Sequence, residues 1–140
     1  MGASEEGVVR AFVEGLEGHA WDEAQIERAV NRMAPDARYH VYAWERPCQG
    51  QDAIRHEMKR QAPHFFDLTC EILSIASSGT AVFIERLDSM ATKNGPLKIH
   101  VAAVFDVDAD GRIAAWREYY DSKEITTQVG ANMTTAGQRA

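Results

Sequence analysis

The chain has 140 residues, of which 45% are hydrophobic and 26% charged, and its formal net charge is −6. This length suits one domain whose core needs neither disulfide nor metal, and the composition excludes disorder and collagen-like repeats. With 15 basic residues against 21 acidic ones and no basic run, neither nucleic acid nor an anionic membrane is an expected partner.

No stretch approaches the 18 apolar residues of a membrane span. The opening MGASEEGVVR lacks the pattern of a secretory signal. Cys48 and Cys70 suit free thiols in a reducing cytoplasm, the expected location, rather than a disulfide framework or a zinc site.

Val8, Val9, Phe12, Val13 and Leu16 recur at helical spacing and predict a helix near 4–17. Asp22 with Gln25 has the form of a capping box. It precedes a second stripe, Ile26, Ala29, Val30 and Met33, which Pro35-Asp36 stops. Residues 37–44 are aromatic and β-branched and predict a strand, with Tyr39, Val41 and Ala43 on one face and Arg38, His40, Tyr42 and Trp44 on the other. Residues 46–50 read as a loop. Residues 51–61, with Ile54 and Met58 at i,i+4, read as a third helix.

From about 68 the apolar period falls from 3.6 to 2. Strands are expected at 68–75, 81–90, 97–107 and 112–121, with turns at 77–79, 93–96 and 108–111. From Ser122 the chain is polar and rich in Thr, Gln and Gly, and predicts a tail loose on the surface. The expectation is a single domain over 1–140, with its core at about 5–125 and a polar tail at 126–140. The element order predicts an α+β fold: a curved, mixed, mostly antiparallel sheet whose N-terminal helices close a conical pocket.

Strand alternation puts charge where a core should be. Val82, Ile84, Arg86, Asp88 and Met90 share one face of 81–90, apolar at both ends and ionic in the middle. On the last strand Trp116, Glu118 and Tyr120 share a face, so Glu118 is a carboxylate between large aromatics. Its expected partner is Arg86, on an antiparallel strand of the same sheet. One guanidinium can hold both carboxylates bidentately. Burial raises a carboxyl's pKa and a guanidinium lowers it, so two carboxyls in unequal surroundings can divide acid and base work. The alternative is an ion pair on a solvated face, worth at most about 1 kcal/mol.

Other motifs are weaker. Asp106-x-Asp108-x-Asp110-Gly111 matches half of an EF-hand loop, but Arg117 stands where calcium needs a bidentate Glu, so it reads as a hairpin turn. His19, His40, His56, His64 and His100 lack metal-like spacing, and no metal site is expected. No G-x-S-x-G elbow, P-loop or G-x-G-x-x-G occurs.

The segments Tyr39-His40-Val41, Phe83-Ile84-Glu85-Arg86-Leu87-Asp88, Val104-Phe105 and Trp116-Arg117-Glu118-Tyr119-Tyr120-Asp121 resemble the limonene-1,2-epoxide hydrolase family. That family lies within the nuclear-transport-factor-2-like (SnoaL-like, cystatin-like) superfamily. The resemblance spans roughly 5–125 and implies an Asp–Arg–Asp triad working with a Tyr and an Asn. Arg86 and Asp88 correspond to the Arg and the acid. Glu118 takes the place of the water-activating Asp, and Tyr39 matches the water-holding Tyr. The Asn two residues later is Val41 here.

What the resemblance implies is one-step hydrolysis of a small apolar epoxide, without metal or cofactor. Apolar walls are expected from Val41, Ile84, Met90, Ile99, Val101, Phe105, Trp116 and Tyr120. Two other readings remain open: a SnoaL-like cyclase or ketosteroid-isomerase-like enzyme moving a proton on an enolisable ketone, and a non-catalytic ligand-binding protein of the same fold. The opposite sheet face, with Phe83, Leu87, His100 and Tyr119, is expected to form a homodimer interface. The alternative is a monomer in which the tail, through Ile125 and Val129, covers that face.

Overall fold

The computed structural model describes residues 2–130. Helix α1 (Gly2–Glu14) buries Val9, Phe12 and Val13. Helix α2 (Glu23–Asn31) starts at Asp22, whose carboxylate accepts the Gln25 backbone N–H. Only this half of the capping box forms. The Gln25 side chain instead donates to the carbonyls of Gly15 and Glu17 and ties down the loop between the helices. Gly18 sits in that loop at φ 148° and exchanges backbone hydrogen bonds with Leu68. The positive φ favours glycine, and a Cβ there would also crowd the Gln25 amide at 3.3 Å.

Strand β1 (Met33–His40) begins earlier than expected. Met33 opens the strand rather than closing the helix, and Pro35 lies inside it, where the pairing register slips between Met33 and Arg38. A bulge leaves the N–H position of a proline unneeded, so proline is compatible with the strand there. The strand also stops at His40, so Tyr42 and Trp44 fall in the following turn. Residues expected as loop supply the short strand β2 (Cys48–Gln49), and helix α3 (Gln51–Gln61) follows as expected. A single 3-10 turn, Ala62–His64, leads on to the hairpins.

Four strands complete the sheet: β3 (Phe66–Ser78), β4 (Ala81–Thr92), β5 (Gly95–Val107) and β6 (Ile113–Tyr119). The order is β2-β1-β6-β5-β4-β3. Only β1 and β6 pair in parallel; the other neighbours are antiparallel. Two register shifts in β3 bend the sheet. Between β5 and β6, Asp108 accepts the N–H groups of Asp110 and Arg112, so the acidic segment is a hairpin turn.

Helix α1 fills one end of the concave face, where Phe12 meets Phe105 and Trp116 edge-on at centroid distances of 5.7 and 5.0 Å. The other end is left for a cavity. The tail expected to lie loosely is instead helix α4 (Ser122–Val129) through its first eight residues, capped by Asp121. Ile125 and Val129 are buried against Leu97, Ile99 and Val101, on the concave face of β5. They therefore do not cover the outer face, where Phe83 and Tyr119 are each 46% exposed. The rest of the expected tail, 131–140, lies outside the described residues.

Strand β6 pairs with β5 only from Ala102 onward, which leaves part of the β5 edge uncovered. Gln128 occupies it. Its Oε1 accepts the Lys98 N–H at 2.9 Å and its Nε2 donates to the Lys98 carbonyl at 2.7 Å. Glu124 accepts the His100 N–H at 2.8 Å. Two side chains thus stand in for an adjoining strand.

Replacing Ile125 with Ala empties a buried site in this small cluster and is expected to cost about 2 kcal/mol. In a urea titration the midpoint should fall with an unchanged m-value.

Candidate active site

The site is built on strand parity. Arg86, Asp88 and Glu118 all face the concave side and are 2%, 7% and 8% exposed. Strands β4 and β6 lie on either side of β5 and run parallel to one another, not antiparallel as expected. Arg86 is opposite Val101 and Glu118 is opposite Ala103. The Arg86 side chain therefore crosses β5, a span of roughly 9–10 Å between flanking strands. The single methyl of Ala103 leaves room for it.

The guanidinium holds both carboxylates in double forks. Nε and Nη2 donate to the two oxygens of Asp88, each at 2.9 Å. Nη1 and Nη2 donate to those of Glu118 at 3.0 and 2.9 Å. The two carboxylates hold the Arg86 pKa well above its ordinary value, against the opposing effect of burial. No solvated-face ion pair is compatible with this burial.

A cavity of about 850 Å³, counting its open mouth, lies over the trio. Of the walls expected from sequence, Val41, Met90, Ile99, Val101, Trp116 and Tyr120 line it, as do all three charged residues and Tyr39. Ile84 and Phe105 do not. They are buried in the main core cluster at the end that α1 covers, on the same sheet face but too far along it. The sequence reading missed Leu16, Trp21, Phe65, Leu68, Leu97 and Ile125, which complete the apolar wall, and the polar Gln61, His64, Cys70 and Thr92. Most of these come from helices, loops and strand ends, where alternation says nothing. Gln61 had a signal: it continues the inward stripe of α3 three residues after Met58.

Tyr39 stacks on Trp116 with ring centroids 3.9 Å apart. Its hydroxyl accepts a hydrogen bond from Gln61 Nε2 at 3.2 Å. Burial, reinforced by the negative charge of Glu118, pushes the phenol above its ordinary value of 10. It remains a donor through the alkaline range. Cys70 is raised as well, by burial first and then by the charge of adjacent Asp88, so it is an unreactive thiol.

This architecture is shared widely. A Catenulispora acidiphila hypothetical protein with a ketosteroid isomerase-like fold, in complex with trimethylamine, is similar with a TM-score of 0.75 at 18% identity, over 87% of this chain and 91% of that one. A Burkholderia pseudomallei protein of unknown function described as ntf2-like matches with a TM-score of 0.73 at 15% identity, over 90% and 97%. The fold is therefore of the nuclear-transport-factor-2-like, ketosteroid-isomerase-like class.

Within that class the match is narrower. The family model described as the limonene-1,2-epoxide hydrolase catalytic domain covers residues 3–130, and the chain belongs to this family. Epoxide hydrolase EphG of Mycobacterium tuberculosis (strain ATCC 25618 / H37Rv) is 31% identical over 115 residues, 81% of this chain and 70% of that protein. The structure of an M. tuberculosis LEH-like epoxide hydrolase is similar with a TM-score of 0.74 at 23% identity, over 91% and 90%.

Replacing Arg86 with Met leaves two buried carboxyl groups without their shared partner and is expected to cost about 3–5 kcal/mol at neutral pH, seen as a large drop in melting temperature. Under native conditions at pH 8, iodoacetamide should leave Cys70 unmodified, as peptide mass mapping would record.

Proposed function

We propose that the chain is an epoxide hydrolase that adds water to a small apolar epoxide in one step, giving a vicinal diol. The observation that carries this reading is the double fork: one buried guanidinium presents two carboxyl groups to the same apolar cavity. Epoxide opening needs a base for the water and an acid for the departing oxygen, acting together.

Glu118 is the base and Asp88, carrying a proton, is the acid. Water loses a proton to Glu118 as its oxygen bonds to an epoxide carbon. That carbon's bond to the ring oxygen breaks, and the oxygen takes the Asp88 proton. One proton is shared between two carboxyls before and after, so the trio is neutral throughout and Arg86 faces no change of net charge. This matters in a dry site, where unbalanced charge is costly. Tyr39 helps hold the water. The residues do this chemistry without a metal ion or cofactor.

The second reading is an enzyme that moves a proton on an enolisable ketone with a single carboxylate. Glu118 in place of Asp and Val41 in place of Asn favour it. The partner in either case is a small apolar molecule. The same proposal includes a homodimer through the outer sheet face, where Phe83 and Tyr119 are exposed, and a reducing, cytoplasmic location that suits Cys48 and Cys70, which form no disulfide with one another.

Incubation with small apolar epoxides in ¹⁸O-water should give diol carrying one labelled oxygen. Asp88→Asn and Glu118→Gln should each lower the rate at least ~10²-fold while leaving the circular dichroism spectrum unchanged. Proton exchange on enolisable ketones without diol formation would support the second reading. The raised phenol of Tyr39 sets the pH dependence: the rate should show no alkaline loss from tyrosine ionisation at pH 10, where an ordinary tyrosine is half ionised. Light scattering that gave the mass of one chain at micromolar concentration would remove the dimer.

A further inference from the structure

We propose that Gln61, on α3, is a direct ligand of the nucleophilic water, through its carbonyl oxygen. The inference rests on the hydrolase reading of the site and adds a catalytic residue to it.

The argument begins with Glu57, a carboxylate only 7% exposed that the proposed chemistry does not use. Arg60 holds it in a fork, with Nε on Oε1 at 3.1 Å and Nη2 on Oε2 at 2.7 Å. A carboxylate paired in this way only accepts hydrogen bonds. The Gln61 amide is 2.9 Å from its Oε2, so its nitrogen must be the atom that faces Glu57. The same nitrogen donates to the Tyr39 hydroxyl. Both amide protons are thereby used, and the orientation of the amide is set by its neighbours.

Two consequences follow for the cavity that Gln61 and Tyr39 both line. The Tyr39 oxygen already accepts a hydrogen bond from Gln61, so its own O–H is available as a donor. The Gln61 Oε1 makes no hydrogen bond among the described residues and remains an acceptor. A water that attacks an epoxide has two protons to place and two lone pairs. Glu118 takes one proton. The other needs an acceptor that does not compete as a base, and a carboxamide oxygen is one. Tyr39 O–H donates to one lone pair, and the remaining pair points at carbon. The four valences of the water are then accounted for by Glu118, Gln61, Tyr39 and the substrate. Val41 lines the same cavity but has no polar atom with which to share this task.

The test is a double-mutant cycle on diol formation from 1-methylcyclohexene oxide and cyclohexene oxide, using Gln61→Met, Tyr39→Phe and the pair. Gln61 ends a helix and is half-buried, and Gln61→Leu serves if the Met variant does not fold. Each chain is assayed well below its melting temperature. Gln61→Met is expected to lower kcat about tenfold, the value of one hydrogen bond, with KM little changed. In the Tyr39→Phe background it should lower kcat about tenfold again. If the pair is no slower than Tyr39→Phe alone, Gln61 acts only through the phenol and the proposal is wrong. An unchanged kcat in Gln61→Met overturns it too, with the hydrolase reading intact. No diol from the unaltered chain, with either epoxide or any other small apolar one, overturns the hydrolase reading itself and this inference with it.

Discussion

Arg86 is the constraint on which the rest of the structure depends. A guanidinium 2% exposed is tolerable only if its donors are met by well-placed acceptors, because an unpaired buried charge costs several kcal/mol. Four of its hydrogen bonds reach two carboxylates from different strands. That requires an inner-face parity shared by β4 and β6, and a small residue, Ala103, on the strand between them. A one-residue slip in either strand would turn a carboxylate to the other face of the sheet. The register of the sheet and the chemistry of the cavity are therefore one specification.

The apolar surroundings follow from the same requirement. Helix α1 packs Phe12 onto Phe105 and Trp116 and fills one end of the concave face. Helix α4 lays Ile125 and Val129 along β5 at the other. Between them a polar trio is left in a low-dielectric space, where its interactions with a reacting molecule are strongest. The outer half of the site, Glu57, Arg60, Gln61 and Tyr39, is arranged similarly. An ion pair is spent on orienting an amide, and the amide on orienting a phenol.

The parts of this that the sequence made legible are those governed by period 2. The stripe Val82, Ile84, Arg86, Asp88, Met90 and the placement of Glu118 between Trp116 and Tyr120 require only alternation, and both hold in the structure. What alternation could not say was how far along the face the cavity extends. Ile84 and Phe105 share the parity of the site yet lie under α1. Pro35 was misleading because a proline that ends a helix and one that sits at a strand bulge look alike locally. Helix α4 carries only Ile125 and Val129 as apolar signal, and its polar residues become meaningful only when β5 is beside them. Gln61 was overlooked because a polar residue at the end of an amphipathic helix is ordinarily solvated.

The hold of Gln128 on Lys98 has a consequence beyond the stability of one helix. An uncovered strand edge is a template on which other chains can add strands, and natural sheets guard theirs. Here the guard is a side-chain amide that presents the donor and acceptor of a peptide group without a strand's ability to continue the ladder. The stretch of the β5 edge that β6 leaves open is thus closed by a helix that follows the sheet in the chain. Without α4 that stretch would present unpaired backbone groups beside the apolar Leu97, Ile99 and Val101, the combination on which strand addition between chains depends.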